Sequence, residues 1–111
     1  MTDKELLEAT CPECRGPLSQ RHRDGGVVEY SCLVGHKYSA RALLQAHSEA
    51  QEKALWAAVV ALEEATTLIQ SVAPYFPPEV FAVLQRQAEI KRTQAQQIRD
   101  LLERLEPFQT I

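Results

Sequence analysis

Cys11-Pro12-Glu13-Cys14 and Cys32-Leu33-Val34-Gly35-His36 are two short chelating turns with seventeen residues between them, and they hold all three cysteines of the chain. Two residues between Cys11 and Cys14 let both sulfurs reach one ion, and three between Cys32 and His36 do the same for the longer imidazole arm. Three thiolates and an imidazole suit zinc, which is borderline soft and accepts a tetrahedral shell without electronic preference. One structural Zn2+ held by Cys11, Cys14, Cys32 and His36 is therefore expected. Four protein donors leave no coordination position for substrate, and Glu13, the only acid within a knuckle, is a poor general base on an exposed turn. No enzyme chemistry is expected. Three rival readings stand beside this one. A redox Cys-x-x-Cys would want a βαβ context that the segment lacks. Free thiols would leave 11–38 with little to hold it together. His22, next to the hairpin turn, competes with His36 as fourth ligand.

The elements that must position these donors are short. Pro12 fixes φ in the first knuckle, Leu18 to Arg23 reads as a weak strand, and Asp24-Gly25-Gly26 is a strong hairpin turn. Val27 to Cys32 is the better strand, with Val28, Tyr30 and Cys32 on one face. Gly35 lets the chain bend so that His36 turns back to the metal. Before the knuckle, Thr2-Asp3-Lys4-Glu5 has a capping-box pattern followed by Leu6 and Leu7, read as one helical turn or a frayed end.

After the knuckle the period changes. Ser39 caps a helix over 40–72 whose seam reads Leu44, His47, Gln51, Leu55, Ala58, Leu62, Ala65, Ile69 and Val72. His47 is expected as a packed, hydrogen-bonded histidine on that seam. Pro74 stops the helix, and Pro77-Pro78 starts another over 78–106, with its seam at Val80, Leu84, Ala88, Lys91, Ala95, Ile98, Leu102 and Leu105. At about 1.5 Å per residue the two helices are on the order of 50 and 40 Å long, and the short link makes them an antiparallel hairpin. The expected fold is mainly α with a small β element: a lead segment over 1–10, a zinc-ribbon or treble-clef-like knuckle and β-hairpin over 11–38, and a helical hairpin over 39–111.

The bulk numbers fit that plan. At 111 residues the chain is at most one domain or a small module on a helical element, and a zinc staple offsets the shortage of large apolar residues in its first forty-odd positions. A net charge of −3 argues against a sequence-independent nucleic-acid binder. The polar start carries Asp3, Lys4, Glu5 and Glu8 and does not read as a secretory leader. No apolar run approaches the roughly 20 residues that span a bilayer. Three cysteines cannot all pair as disulfides, and a reducing cytoplasm would keep them as ligands.

Several of these residues also carry a resemblance. Cys11-Pro12-Glu13-Cys14-Arg15-Gly16-Pro17-Leu18, Cys32 through His36-Lys37-Tyr38-Ser39, Leu43-Leu44, and Glu52 through Ala54-Leu55-Trp56-Ala57-Ala58 to Glu63-Glu64 together resemble the C-terminal zinc-binding extension of some chemotaxis-type protein-glutamate methylesterases. The likeness runs from about Cys11 to Gln70. It departs at Arg15, where that family usually has glycine. The sequence holds no Gly-x-Ser-x-Gly elbow. The resemblance therefore implies an accessory module in signalling, acting on a separate protein and without esterase activity.

On a helical wheel Trp56 falls opposite the first seam, among Glu49, Glu52, Glu63 and Thr67, with Val60 beside it. An exposed Trp56–Val60 pair is a candidate anchor for a protein partner; packing under Leu6–Leu7 or within a widened helix contact is the other reading. Gln87, Lys91 and Gln94 interrupt the second seam, which points to partly buried helices or to a homodimer completing a four-helix bundle. The expected function is protein–protein interaction. The alternative is a nucleic-acid-binding ribbon using Arg15, Arg21, His22, Arg23 and Lys37.

Overall fold

The computed structural model describes residues 4–106 and 109. Four strands precede two long helices: β1 (Lys4–Thr10), β2 (Pro17–His22), β3 (Val28–Cys32), β4 (Lys37–Ser39), α1 (Ala40–Val72) and α2 (Pro78–Glu103). The expected module boundary at Ser39 marks where strand gives way to helix. By compactness the chain divides further on, between Gln51 and Glu52.

In the first unit the strands form one antiparallel sheet in the order β1-β2-β3-β4, each paired with its sequence neighbour. The β2–β3 hairpin reverses through a 3-10 turn at Asp24–Gly26, where Gly25 and Gly26 have φ of 81° and 78°. Side chains with a Cβ rarely adopt such values, so the two glycines set the turn. The register places Leu18 opposite Cys32 and Gln20 opposite Tyr30.

Two of the four strands were not expected. Lys4–Thr10 is β1, not a helical turn; the capping-box residues Thr2 and Asp3 lie outside the described residues. Its pairs, Lys4↔Arg21, Glu5↔Gln20 and Leu6↔Ser19, satisfy the free edge of β2, and the Gln20 amide donates to Glu5 Oε2 at 3.1 Å. Local helix preference loses to that edge. On the other side β4 sets Tyr38 opposite Tyr30.

The sheet's core is small: Cys11, Leu18, Cys32 and Tyr38, with Leu7, Tyr30, Leu43 and Ala46 packed against it. Ser39 caps α1 as expected, its Oγ accepting from the Ala42 N–H at 3.1 Å. The cap fixes which way the first turns face. Leu43 and Ala46 therefore meet the core, while the expected Leu44, His47 and Gln51 are exposed.

The second unit, Glu52–Glu106, is an antiparallel helical hairpin. A 3-10 turn at Ala73–Tyr75 holds Pro74, and Pro77 and Pro78 open α2. Its buried residues are small: Val59 and Thr66 on α1, Ala73 in the turn, Ala88 and Ala95 on α2. The α2 seam is the expected one, although Val80 is exposed. The helix closes at Glu103, short of 106, where the Arg104 N–H bonds back to the carbonyls of Leu101 and Leu102. On α1 the centre of the seam is rotated toward Val59 and Thr66, neither of which was expected there. Thr66 Oγ1 donates to the Leu62 carbonyl at 3.1 Å and lies 3.4 Å from that of Ala88, linking the two helices. Gln87 and Gln94 are exposed, so no unpaired amide is buried, and Lys91 is half-buried with an apolar stem suited to that position.

Among the described residues, Ala40–Tyr75 is, by length and composition alone, long and apolar enough to cross a membrane, with a mean hydropathy of 1.2 over an 18-residue window. Its alanines, valines and leucines average out Glu63 and Glu64, so a count of uninterrupted apolar residues misses it.

Ala88 is 1 % exposed against α1. Ala88→Leu is expected to lower stability by about 1–3 kcal/mol through overpacking, and Ala82→Leu on the exposed side by less than about 0.5 kcal/mol. Urea denaturation followed by circular dichroism checks the difference.

Candidate metal centre

The two knuckles are built alike. In the first, the Arg15 N–H bonds to the Cys11 carbonyl at 2.8 Å and the Cys11 N–H to the Gly16 carbonyl at 2.7 Å. The turn requires a left-handed residue, and Arg15 takes it at φ 64°, an uncommon setting for a side chain larger than glycine. Gly16 then brings its N–H to within 3.4 Å of Cys14 Sγ; a Cβ there would sit 3.3 Å from that sulfur. In the second knuckle the Cys32 N–H bonds to the His36 carbonyl at 3.1 Å, Gly35 turns the chain at φ 101°, and the His36 N–H reaches Cys32 Sγ at 3.3 Å. Pairing of Leu18 with Cys32 carries the second turn to the first.

The result is convergence. Donor atoms of Cys11, Cys14, Cys32 and His36 all lie within 4.8 Å of one another. His36 Nδ1 is 3.2 Å from Cys32 Sγ and 3.6 Å from Cys11 Sγ. Four bonds of about 2.0–2.3 Å in a tetrahedron put their donors roughly 3.5–3.8 Å apart, so the residues fit a zinc-sized ion. Cys11 and Cys32 are buried, Cys14 is exposed, and all three are free thiols. His22 ends β2 opposite Val28 and is not in the cluster. His47 is exposed and shares a 3.1 Å hydrogen bond with Gln51.

Two outer contacts were missed from the sequence. His36 Nε2 lies 3.0 Å from Glu13 Oε2. A proton held on Nε2 by that carboxylate leaves the Nδ1 lone pair aimed at the sulfurs, the usual second-layer device of a ligating histidine. Glu13 was visible as an acid in the knuckle, but only as a candidate base. Tyr38, from β4, sets its hydroxyl 3.3 Å from Cys11 Sγ in a buried contact.

These contacts tune the donors. Burial pushes the Cys11 thiol up, but hydrogen bonds from Tyr38, the backbone of Cys14 and Glu13, and Cys14 itself bring it down to about 6. Burial likewise opposes ionisation of Cys32, and backbone N–H groups led by His36 outweigh it. At Cys14 the Gly16 N–H favours the thiolate, yet burial and the neighbouring sulfurs of Cys32 and Cys11 leave the thiol raised. His36 is raised, first by its bond to Cys32, then by Cys11 and Glu13. Tyr38 is raised by burial and by its bond to Cys11, so it stays a phenol.

Trp56 does not stand opposite the seam. It is 44 % exposed, and the Arg99 guanidinium of α2 lies 5.7 Å from its ring centroid. Arg99 is in turn held by both oxygens of Glu63 at 2.9 and 3.0 Å. Positions 56, 59, 63 and 66 climb one flank of α1, which explains the contact. Val60 remains half exposed.

No known protein family, curated protein or solved structure matches this chain.

Two outcomes follow from the outer contacts. Tyr38→Phe and Glu13→Ala should each weaken zinc binding about 10–100-fold, read by competition with a chromogenic chelator. Binding should also weaken as pH falls, because a raised His36 holds its proton more tightly at low pH and that proton, with those of the thiols, must leave on loading. A drop of at least about tenfold from pH 7 to pH 6 is expected.

Proposed function

We propose that this chain is a non-enzymatic structural-zinc protein that acts as a protein–protein interaction module. The carrying observation is the closure of the donor set. Cys11, Cys14, Cys32 and His36 converge, and Glu13 and Tyr38 occupy the outer positions where a catalytic base or an incoming water would have to work. When bound, zinc supplies a rigid cross-link between the two knuckles. The protein needs one there, because among the described residues only Leu18 and Tyr38 are buried with the two cysteines in the core of the sheet.

The partner surface is placed on the helical hairpin. Trp56, fixed from one side by Arg99 and open on the other, offers an aromatic edge with Val60 one turn along. Glu63 and Glu64 lie within the most apolar stretch of Ala40–Tyr75, and Glu63 is committed to Arg99, so α1 is read as a water-facing helix. The resemblance to a methylesterase extension supports chemotaxis-type signalling as the setting, and free thiols in a ligand set support the cytoplasm. Nucleic-acid binding is the weaker reading: Arg23 is paired with Glu29 at 3.1 Å, and Arg21 stands opposite that same glutamate.

Native mass spectrometry of the intact chain is expected to show one zinc per chain. Cys32→Ser should lose the metal together with the sheet's amide protection from exchange. Trp56→Ala should reduce capture of a signalling partner at least about tenfold while retaining zinc. A zinc-free chain with an equally protected sheet would contradict the proposal.

A further inference from the structure

The helical hairpin carries more apolar pattern than a hairpin uses. Its two helices meet along small residues, while Leu68, Val72, Val83, Ile90 and Leu101 are 42–64 % exposed. These are not scattered. On α1, Ala54, Ala58, Ala61, Ala65, Leu68 and Val72 recur in steps of four and three. On α2, Val83, Gln87, Ile90, Gln94, Gln97 and Leu101 do the same. Each stripe is turned about 100° from the seam of its own helix, in the same rotational sense. An antiparallel pair is related by a two-fold axis normal to its plane, so both stripes emerge on one side of the hairpin. The other side holds a polar cleft of about 360 Å³ lined by Glu63, Arg92, Gln96 and Arg99.

A helix in a hairpin needs one apolar stripe. A helix in a four-helix bundle touches two neighbours at roughly right angles and needs two. We infer that the face carrying Ala61, Leu68, Ile90 and Gln94 binds the same face of a second copy of this chain, completing an antiparallel four-helix bundle.

The face is self-complementary. Glutamine amides both donate and accept, so Gln87, Gln94 and Gln97 can pair with their own copies, and Glu89, which borders the groove along Ile90, Gln94 and Gln97, is already met by Arg92. A membrane surface would favour a rim of one sign, whereas this one mixes Arg86 and Arg104 with Glu79 and Glu89. From 83 to 101 the stripe is about 27 Å long. Across two helices, about 20 Å, it offers on the order of 500–600 Å² per copy, the low end for a specific interface. Lys91, half-buried at mid-height on the seam side of the stripe, is the charge that lies between the two stripes. In a symmetric pair the two ammoniums approach the common axis, where Gln87 and Gln94, four residues before and three after, are placed to accept from them. The association is therefore weak, and Lys91 sets its strength.

This inference deepens the interaction-module reading, but zinc stoichiometry and subunit count are separate readouts, so a one-zinc monomer would sink only the dimer. Sedimentation velocity on the full-length zinc-loaded chain tests it. At about 100 μM, where a micromolar Kd is saturated, the dimer is expected to dominate. Leu68→Glu and Ile90→Glu, both at exposed positions, should give monomers with unchanged helicity; Thr67→Lys, on the flank of the polar cleft, should leave the dimer intact. Lys91→Ile should tighten it at least about tenfold. A wild-type monomer at that concentration, or a dimer that survives both glutamate variants, overturns the inference. So does flotation of the wild type with phosphatidylcholine vesicles that those two variants abolish, which would assign the face to a lipid surface.

Discussion

Four side chains from two turns must meet at one point, and the first unit is arranged around that requirement. Cys11 and Cys14 come from a turn that precedes the hairpin, Cys32 and His36 from one that follows it. Neither turn could hold its geometry alone. Each is closed by paired backbone bonds between its first residue and those that follow, and β2–β3 pairing holds one against the other. Two of the four buried residues in the sheet's core are themselves ligands. Packing and coordination are thus the same contacts, and a site of this kind cannot be loosened without loosening the domain.

The second unit follows a different economy. Its helices approach along Val59, Thr66, Ala88 and Ala95, side chains small enough for close contact, with a threonine hydroxyl shared between them. The cost of that closeness is a modest apolar yield, because the larger residues stay outside. Proline at the turn and at the start of α2 sets where the chain reverses without needing a core to do it.

Much of this was legible in residue order. Cysteine spacing located the donors, the paired glycines located the hairpin, and the prolines bounded both helices, because each acts through local geometry that no distant contact can override. The α2 seam was legible for a related reason: a long helix repeats its pattern often enough to average out Lys91. What escaped was set at a distance. Lys4–Thr10 has no alternating pattern and is strand only because β2 has an edge to fill. The first turns of α1 face the sheet through Leu43 and Ala46, a choice made by the Ser39 cap and by the core beyond it. Trp56 looked solitary on a wheel because a wheel cannot show Arg99 arriving from the other helix. Glu13 and Tyr38 were read singly, and their roles exist only once the ligands have converged.

Tyr38 and Ser39 are neighbours with opposite duties. One side chain touches a ligand sulfur, and the next holds the first amide of a long helix. No spacer separates them to absorb a shift. A displacement of the Cys11 sulfur is felt first by the hydroxyl resting on it, one residue before the side chain that caps α1. The state of the cluster is thereby written into where α1 starts, as a ratchet's pawl fixes the tooth from which the wheel can turn.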